Sequence, residues 1–526
     1  MMEKFRVHLK TNHIIYPTPG NPAGFQDYGI IGSKIKKKVL DVWHKVMMDE
    51  NIHEISTPIV TDRSVLERSG HVTKFTDPIV TDKDDIKHRA DHLIEDYISK
   101  NANHIAMESG LSDVASMTLQ NMEDFIKKHK LVDIASDKVK VTESVLMCGT
   151  DNGNFLRPEL AQGIFLNFKQ GYDFCKKLPF GLKQVGRSYR KEISPKPFTR
   201  LVEFTQAEIE WFYDPETSSN LVSEDITPNM LPRDKEPYVA ERMNINKVIT
   251  NDMAFFLTKA WNFAKEIGIP EESMRLRQHL SNEMAHYARD CWDLEILING
   301  KWLECMGCAD RGDYDLKTHG ICLNKFVKNS MNTIKSVVPN KKIIGPIFGP
   351  DTNTVCDILR KSSPDKIPGN AIGKNITSDM YTIDELAMAN VAEPMIPCVI
   401  EPSFGIDRLI YAMLFLNFKK RDDTKYYMTL PSKTAPYTGA VLPLLTNNKE
   451  LIDITKKIRS NFGFDVLYTD LSSATIGKKY VRIDELGIPI ALTVDHQTII
   501  DRTVTMRHNE SMQQVRINID DINTYL

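Results

Sequence analysis

The hydrophobic positions of the chain follow two periods. In SKIKKKVLDVWHKVMM (33–48), Ile35, Val39, Val42 and Val46 recur three and four residues apart, which predicts a helix with one apolar stripe. GFQDYG (24–29) is a Gly-rich opening ahead of it. The stretch QVGRSYRKEISPKPFTRLVEFTQAEIE (184–210) instead has period two on both sides of a turn, which predicts two paired strands. Side chains alternate along a strand. Gln184, Ser188, Arg190 and Glu192 therefore share one face of the first strand, and Phe204, Gln206, Glu208 and Glu210 share one face of the second. Thr205, Ala207, Ile209 and Trp211 take the opposite face, which needs helices packed on it. The polar face reads as an open floor for a charged ligand, against the plainer reading of a solvated sheet surface.

The same reading covers the rest of the chain. HEISTPIV (53–60) is β-branched and reads as a strand. Residues 82–130 are polar and mostly helical, with Leu93/Tyr97 and Ile94/Ile98 one turn apart, and resemble an inserted module. CGTDNGNFLRPELAQGIFLNF (148–168) passes from a turn into a helix starting near Pro158, with Glu159 in its first turn. Residues 212–240 read as loop, and 243–290 as a helix, a short strand (MRLRQH) and a second helix (NEMAHYARD). LEILINGKWLECMGCAD (294–310) is a hairpin about Asn299-Gly300. Residues 317–395 are irregular and lysine-rich, and VIEPSFGIDRLIYAMLFLNF (399–418) is a strand, a Gly turn and a helix. Beyond residue 432 strands and helices alternate, ending in a helix over SMQQVRINIDDI, which argues for a separate α/β domain.

Composition changes this picture little. A chain of 526 residues exceeds one ordinary core. It is 41% hydrophobic and 26% charged, with no apolar run of the ~18–20 residues a membrane span needs. The N-terminal stretch has neither a signal peptide's apolar core nor a transit peptide's character, so a cytoplasmic protein is expected. Eight cysteines show no paired framework, as in a reducing compartment. A net charge of −3 leaves any nucleic-acid contact to local basic patches. Lys34, Lys36, Lys37 and Lys38 read as a solvated helix face, and Lys478, Lys479 and Arg482 as better candidates for RNA. Cys305 and Cys308 form a lone CxxC without the second pair or histidines of a zinc site.

Chemistry enters through the arginines. A guanidinium matches phosphate oxygens in pairs, and an aromatic ring stacks on a base. Arg190 lies near Phe204, and Arg408 opens a helix after a glycine, where the helix terminus also favours anions. YRKE (189–192) with LVEFTQAEIE, and EPSFGIDR (401–408), resemble motifs 2 and 3 of class II aminoacyl-tRNA synthetases. ERSGHVTKF (67–75), FLRPELAQGIFLNF (155–168), MRLRQHLSNEMAHYARDCWDLEI (274–296) and ECMGCADRGDYDL (304–316) narrow the resemblance to glycyl-tRNA synthetases of the eukaryotic and archaeal dimeric type. SATIGKKYVRIDELGIPIALTVD and TVTMRHNESMQQV are similar to that family's anticodon-binding domain.

The resemblance implies an α+β fold: a six- to seven-stranded antiparallel sheet flanked by helices, then a mixed α/β anticodon-binding domain. It implies a catalytic domain over 1–432, with insertions near 79–140, 212–270 and 317–395, and an anticodon-binding domain over 433–526. It implies a ligase that joins glycine to tRNA(Gly) with ATP and Mg²⁺, working as a homodimer paired through residues around 24–75. Arg190 is then expected at the α-phosphate, with Lys191 beside it. Glu192 is expected at the adenine amino group, Phe204 against the ring, and Arg408 at the γ-phosphate or the far side of the base. Arg200 and Leu201 are expected to touch the nucleotide, and Glu304 and Cys305 to line the site, with Glu304 near Mg²⁺. Glu159, Glu208, Glu401, Pro402 and Ser403 are expected to hold glycine, and Arg311 to meet its carboxylate. The motif 3 stretch has Asp407 where the family commonly has glycine, and His71 reads as structural. A non-catalytic relative that binds nucleic acid predicts loss of the gripping residues, yet Arg190, Glu192, Glu208, Glu401 and Arg408 are all present.

Overall fold

A computed structural model describes the chain except residues 102–113, 115–116, 136–137, 218–220, 222, 250–251, 286, 328–332, 388–390 and 423–424. The described residues form two compact units, 1–320 with 397–526, and Ile321–Ile396.

The first unit is built on nine strands: β1 (Ile52–Glu54), β2 (Phe180–Tyr189), β3 (Glu203–Tyr213), β4 (Asn229–Leu231), β5 (Glu241–Arg242), β6 (Met274–Gln278), β7 (Asp290–Ile298), β8 (Lys301–Gly312) and β9 (Cys398–Gly405). Their order across the sheet is β5-β4-β6-β7-β8-β9-β3-β2-β1. The six strands from β6 to β2 are antiparallel, as expected. Parallel additions at the edges, β1 on β2 and β4 on β6, and β5 antiparallel on β4 raise the count to nine. These edge strands are two or three residues long, too short to register as a period.

Helices cover the apolar face. Ile30–Val46 buries Ile35, Val39 and Val42 of the stripe its spacing predicts, with Trp43 added beside them and Val46 only half-buried. Gly32 lets that helix lie directly on the chain before it, since a Cβ there would sit 1.8 Å from the Ile14 carbonyl oxygen. Met253–Glu266 and Ile406–Leu416 pack beside it through Phe256, Phe263, Leu409 and Met413. The helix Met2–Thr11 adds Phe5 and Leu9 to the same core, and His8 Nε2 lies 2.8 Å from the Glu485 carbonyl. Asn299 and Gly300 both take positive φ, 50° and 77°, as the β7–β8 hairpin requires.

Three local expectations are corrected. The helix expected from Pro158 begins at Ala161, because Leu160 N donates to Glu208 Oε2 across the fold. Of the helix expected over 282–290, residue 286 lies outside the described residues and the rest is turn and bend running into β7, pinned where Glu283 accepts from Leu280 N and from Arg277. The last expected helix is a strand (Gln514–Asn518) and a 3₁₀ turn (Ile519–Thr524), because its backbone pairs with Thr503–His508.

Around the main sheet, strands Thr76–Thr81, Lys87–Arg89 and Val141–Val145 carry the helices Ala90–Lys100 and Leu119–His129 on a small core of Val80, Ile94, Phe125 and Ile126. Residues 102–113 of this region lie outside the described residues. Toward the C-terminus, β10 (Gly439–Pro443) pairs in parallel with β11 (Leu467–Tyr468) and β12 (Ile490–Val494), followed antiparallel by β13 (Thr503–His508) and β14 (Gln514–Asn518). The second unit contains paired strands Thr333–Pro339 and Tyr381–Ala387 and two helices, Lys341–Phe348 and Thr352–Lys361, around Ile344, Val355 and Leu359.

Candidate functional site

Strand register aligns the polar residues in rungs. Gln184, Glu208, Ser403, Gly307, Asp293 and Arg277 stand opposite one another in turn across β2, β3, β9, β8, β7 and β6, and so share one face. One repeat along, Glu210 and Glu401 occupy the same face. Pro402 falls between Glu401 and Ser403 and is turned to the other side by alternation, so its backbone alone borders this floor.

At one end of the floor lies a cavity of 220 Å³ lined by Arg190, Glu192, Arg200, Leu201, Phe204, Glu304, Cys305, Ser403 and Arg408. The Arg190 guanidinium lies near two rings, 5.1 Å from the centre of Phe75 and 5.3 Å from that of Phe204. Arg408 is held by two carbonyls, donating from Nε to Thr199 O and from Nη1 to Glu304 O, each at 2.9 Å. Arg200 Nε stands 3.8 Å from Glu192 Oε2, an oxygen with no hydrogen-bond partner among the described residues. Burial raises the Glu192 carboxyl, with Arg200 and Arg190 opposing. Cys305 is buried, and burial pushes its thiol up. Glu304 is exposed at the rim. Lys191 is exposed too, and the cavity is lined without it.

Asp407 does not crowd this cavity with charge. Its carboxylate accepts from Tyr28 Oη at 2.5 Å, Thr205 N at 2.6 Å and Lys36 Nζ at 3.0 Å. Lys36 is therefore no part of a solvated face: the carboxylate draws it inward, while burial lowers its pKa against the pull of Asp407.

The other end of the floor is a set of buried carboxylates. Glu208 Oε1 accepts from Ser403 Oγ at 2.7 Å and Gln206 Nε2 at 2.8 Å, and its Oε2 accepts from Leu160 N at 2.8 Å. Burial, with Glu401 and Glu159 nearby, pushes its pKa up to about 8. Glu401 Oε2 accepts from Arg311 Nη1 at 2.7 Å, and burial carries it up to about 7 against that pairing. Glu159 shows the opposite balance. Burial would raise it, but His71, with Nε2 3.3 Å away, and the arginines beyond hold it well below the usual carboxylate range. His71 is set by Ser69 Oγ, 2.8 Å from Nδ1. The Arg311 guanidinium is taken up by Asp315 at 2.7 and 3.0 Å as well as by Glu401, and lies 3.9 Å from the Tyr287 ring centre. Its expected contact with a substrate carboxylate is left to whatever N–H groups those partners do not use. Ser403 joins the two ends: it lines the cavity and donates to Glu208.

Sequence reasoning missed several of these partners. Asp315 pairs with Arg311 four residues before it, but Arg311 lies on β8 and Asp315 on the helix that follows, so no single period announced the pair. Arg157 was missed as well. It is buried and donates to the carbonyls of Arg187 at 2.7 Å and Thr57 at 2.9 Å, stitching together segments far apart in the chain.

Relatives of the whole chain decide the family. It is 36% identical to the glycine–tRNA ligase of Methanocaldococcus jannaschii over 582 aligned positions, covering 100% of this chain and 97% of that protein. The chain belongs to the glycine–tRNA ligase family. The ligase of Methanothermobacter thermautotrophicus is 35% identical over 95% of this chain and 93% of its own length, and that of Drosophila melanogaster 34% identical over 96% and 73%. Residues 439–526 of this ligase match the anticodon binding domain family. Its fold is that of class II synthetases. A crystal structure of prolyl-tRNA synthetase from Cryptosporidium parvum, complexed with L-proline and AMP, superposes with a TM-score of 0.55 over 99% of this chain and 73% of that one, at 12% identity. As a glycine–tRNA ligase the protein uses ATP. Among the described residues no helix is long and apolar enough to cross a membrane.

Proposed function

We propose that the Arg190–Phe204 cavity holds ATP and the Glu208–Glu401 cluster holds the ammonium of glycine, so that the floor carries out adenylate formation. The observation that carries this is Ser403, which lines the nucleotide cavity and donates to the ammonium-side carboxylate Glu208. Two ligands that must react need adjacent sites, and one hydroxyl borders both.

The first step needs no general base. The glycine carboxylate is already ionised; it attacks the α-phosphorus, and pyrophosphate leaves. The chain's part is positioning and charge stabilisation. Arg190 takes the α-phosphate, its planar guanidinium positioned by the Phe75 and Phe204 rings. Arg408 takes the γ-phosphate or caps the base, Glu192 accepts from the adenine amino group, Phe204 stacks on the ring, and Arg200, Leu201 and Cys305 complete the walls. Lys191 reaches the triphosphate only from the outside. Mg²⁺ bound with the nucleotide would neutralise charge on its phosphates. Glu304 is exposed beside the cavity, with Oε1 3.7 Å from Arg408 Nη1, and would be the residue to hold a hydrated cation, which fits the reluctance of Mg²⁺ to shed water. Glu159, Glu208, Glu401, Ser403 and the Pro402 backbone enclose glycine, and Arg311 fixes Glu401. A methyl group gains only ~1–3 kcal/mol of discrimination in an apolar pocket. Selectivity for glycine rests on fixed acidic walls that an added methyl would strip of their partners.

The adenylate then passes to the 3′ end of tRNA(Gly). Residues 1–432 carry the chemistry, with insertions near 79–140, 212–270 and 317–395, and 433–526 reads the anticodon. The protein works in the cytoplasm, a reading supported by eight unpaired cysteines. It pairs as a homodimer through the region around 24–75, where Ile30 and Met48 are exposed at 74% and 70%.

The test is ATP–pyrophosphate exchange with glycine, alanine and serine. Exchange driven best by glycine is expected. Exchange with none of the three, or better exchange with alanine or serine, overturns the assignment of the pocket.

A further inference from the structure

Glu210 has no role in this scheme, yet it is buried at the centre of it. It lies two residues beyond Glu208 on β3 and so on the same face. It is 0% exposed, and among the described residues neither carboxyl oxygen has a hydrogen-bond partner. A buried polar group left this way needs an explanation. Its neighbours are committed: Glu208 to Leu160 N, Gln206 and Ser403, and Glu401 to Arg311. Glu208, Glu210 and Glu401 each present an oxygen within 4.8 Å of the others. Three carboxylates that close cannot all stay ionised without a cation among them. The facing charges are Glu208 on the same strand, Glu401 on β9, Arg311 on β8 and Asp315 on the following helix, and Arg311 already serves Asp315 twice. Burial, with Glu401 beside it, pushes the Glu210 carboxyl well above the usual carboxylate range. An ammonium is compact and carries three N–H donors, one for each carboxylate of the cluster.

We propose that Glu210 is a further ligand of the substrate ammonium, accepting one of its N–H groups beside Glu208 and Glu401, and that the ammonium enters in exchange for a proton from this cluster. The inference rests on the glycine reading of the pocket. Glu210 loses its proton to the solvent and becomes a carboxylate. The ammonium keeps all three of its protons, and no bond within the amino acid changes. In the empty site protons spare the cluster the repulsion of three charges; in the filled site the substrate does.

The test is calorimetry on the full-length protein with glycyl-sulfamoyl-adenosine, a stable analogue of the adenylate. Titrations at pH 7.5 in phosphate, HEPES and Tris separate proton release from binding heat. The wild type is expected to release about one proton per chain from Glu210, besides those that Glu208 and Glu401 give up. Glu210→Gln keeps the volume but cannot ionise, and is expected to release about one proton fewer and to bind about 10- to 100-fold more weakly. Glu210→Asp is expected to regain the proton release without the full affinity, which separates charge from packing and serves if the amide folds poorly. Wild-type affinity and proton release in Glu210→Gln would show an inert spacer and overturn the inference while leaving the glycine pocket standing. A stoichiometric divalent ion, removed by EDTA from the wild type and lacking in Glu210→Gln, overturns it in favour of a metal site. A wild type that binds the alanyl analogue as tightly as the glycyl one sinks the pocket assignment itself.

Discussion

Replacing Asp407 by glycine, the residue the motif commonly carries there, is expected to damage this protein. The carboxylate holds Tyr28, Lys36 and the Thr205 N–H at once. The Lys36 and Asp407 side chains are only 14% and 5% exposed. Breaking a buried ion pair from one side costs about 3–5 kcal/mol, because the surviving charge stays buried without its partner. Loss of an acceptor for the Thr205 N–H accounts for about 1–3 kcal/mol of that. Unfolding entropy of about 2.1 cal/mol/K per residue gives roughly 1.1 kcal/mol/K for 526 residues. The melting transition of Asp407→Gly is therefore expected about 3–5 °C below the wild type. Differential scanning calorimetry on Asp407→Gly, Lys36→Met and the double variant measures it. With both charges gone nothing ionic is left stranded, so the double variant is expected to melt above Asp407→Gly. A wild-type melting temperature for Asp407→Gly, or a double variant as unstable as the two singles added together, would refute the reasoning.

Two further outcomes follow from the floor. Arg190→Ala removes a donor to the developing phosphate charge, so glycine-dependent exchange is expected to fall about 10²- to 10³-fold in kcat. An unchanged melting curve and oligomeric state identify this as a loss of chemistry, and unchanged exchange means the nucleotide lies elsewhere. Glu208 and Glu401 have folded pKa values raised to about 8 and about 7. Between the ordinary carboxylate range and those values the folded empty site holds protons that the unfolded chain has released. Stability from this cluster is thus present at low pH and lost as pH rises through about 7 to 8, the sign linkage requires. Glu159, held low, acts oppositely, but its window lies below the ordinary carboxylate range. The urea midpoint of the empty protein is expected to be higher at pH 6 than at pH 8.5, with the gap narrowed by the glycyl analogue. A gap of the same size with ligand bound means these carboxylates are not the cause.

What the sequence made legible was alternation within long strands. The polar face of β3, the β7–β8 hairpin and the helix Ile30–Val46 all followed from period and turn chemistry. Identities of partners across the fold did not follow. Lys36 looked like one lysine in a solvated run, because the run gave no sign that Asp407 would reach it. Glu159 and Glu208 looked alike as acids, yet His71 holds one down while burial beside other acids pushes the other up. Gln514–Asn518 looked helical because its alternation is too brief to outweigh the polar residues around it, and only the neighbouring strand settles its state.

The rungs also dictate which changes of length the gene can bear. Neighbouring strands β8 and β9 are separated in sequence by Ile321–Ile396, a compact unit of its own. Lengthening such a connection costs little, since closure entropy grows only with the logarithm of loop length. Deleting one residue inside β9 is another matter. It would turn Glu401 and Ser403 to the helix side and bring Pro402 and Phe404 onto the floor. Chains descended from a common ancestor should therefore vary by whole modules between strands while keeping the strands countable to the residue.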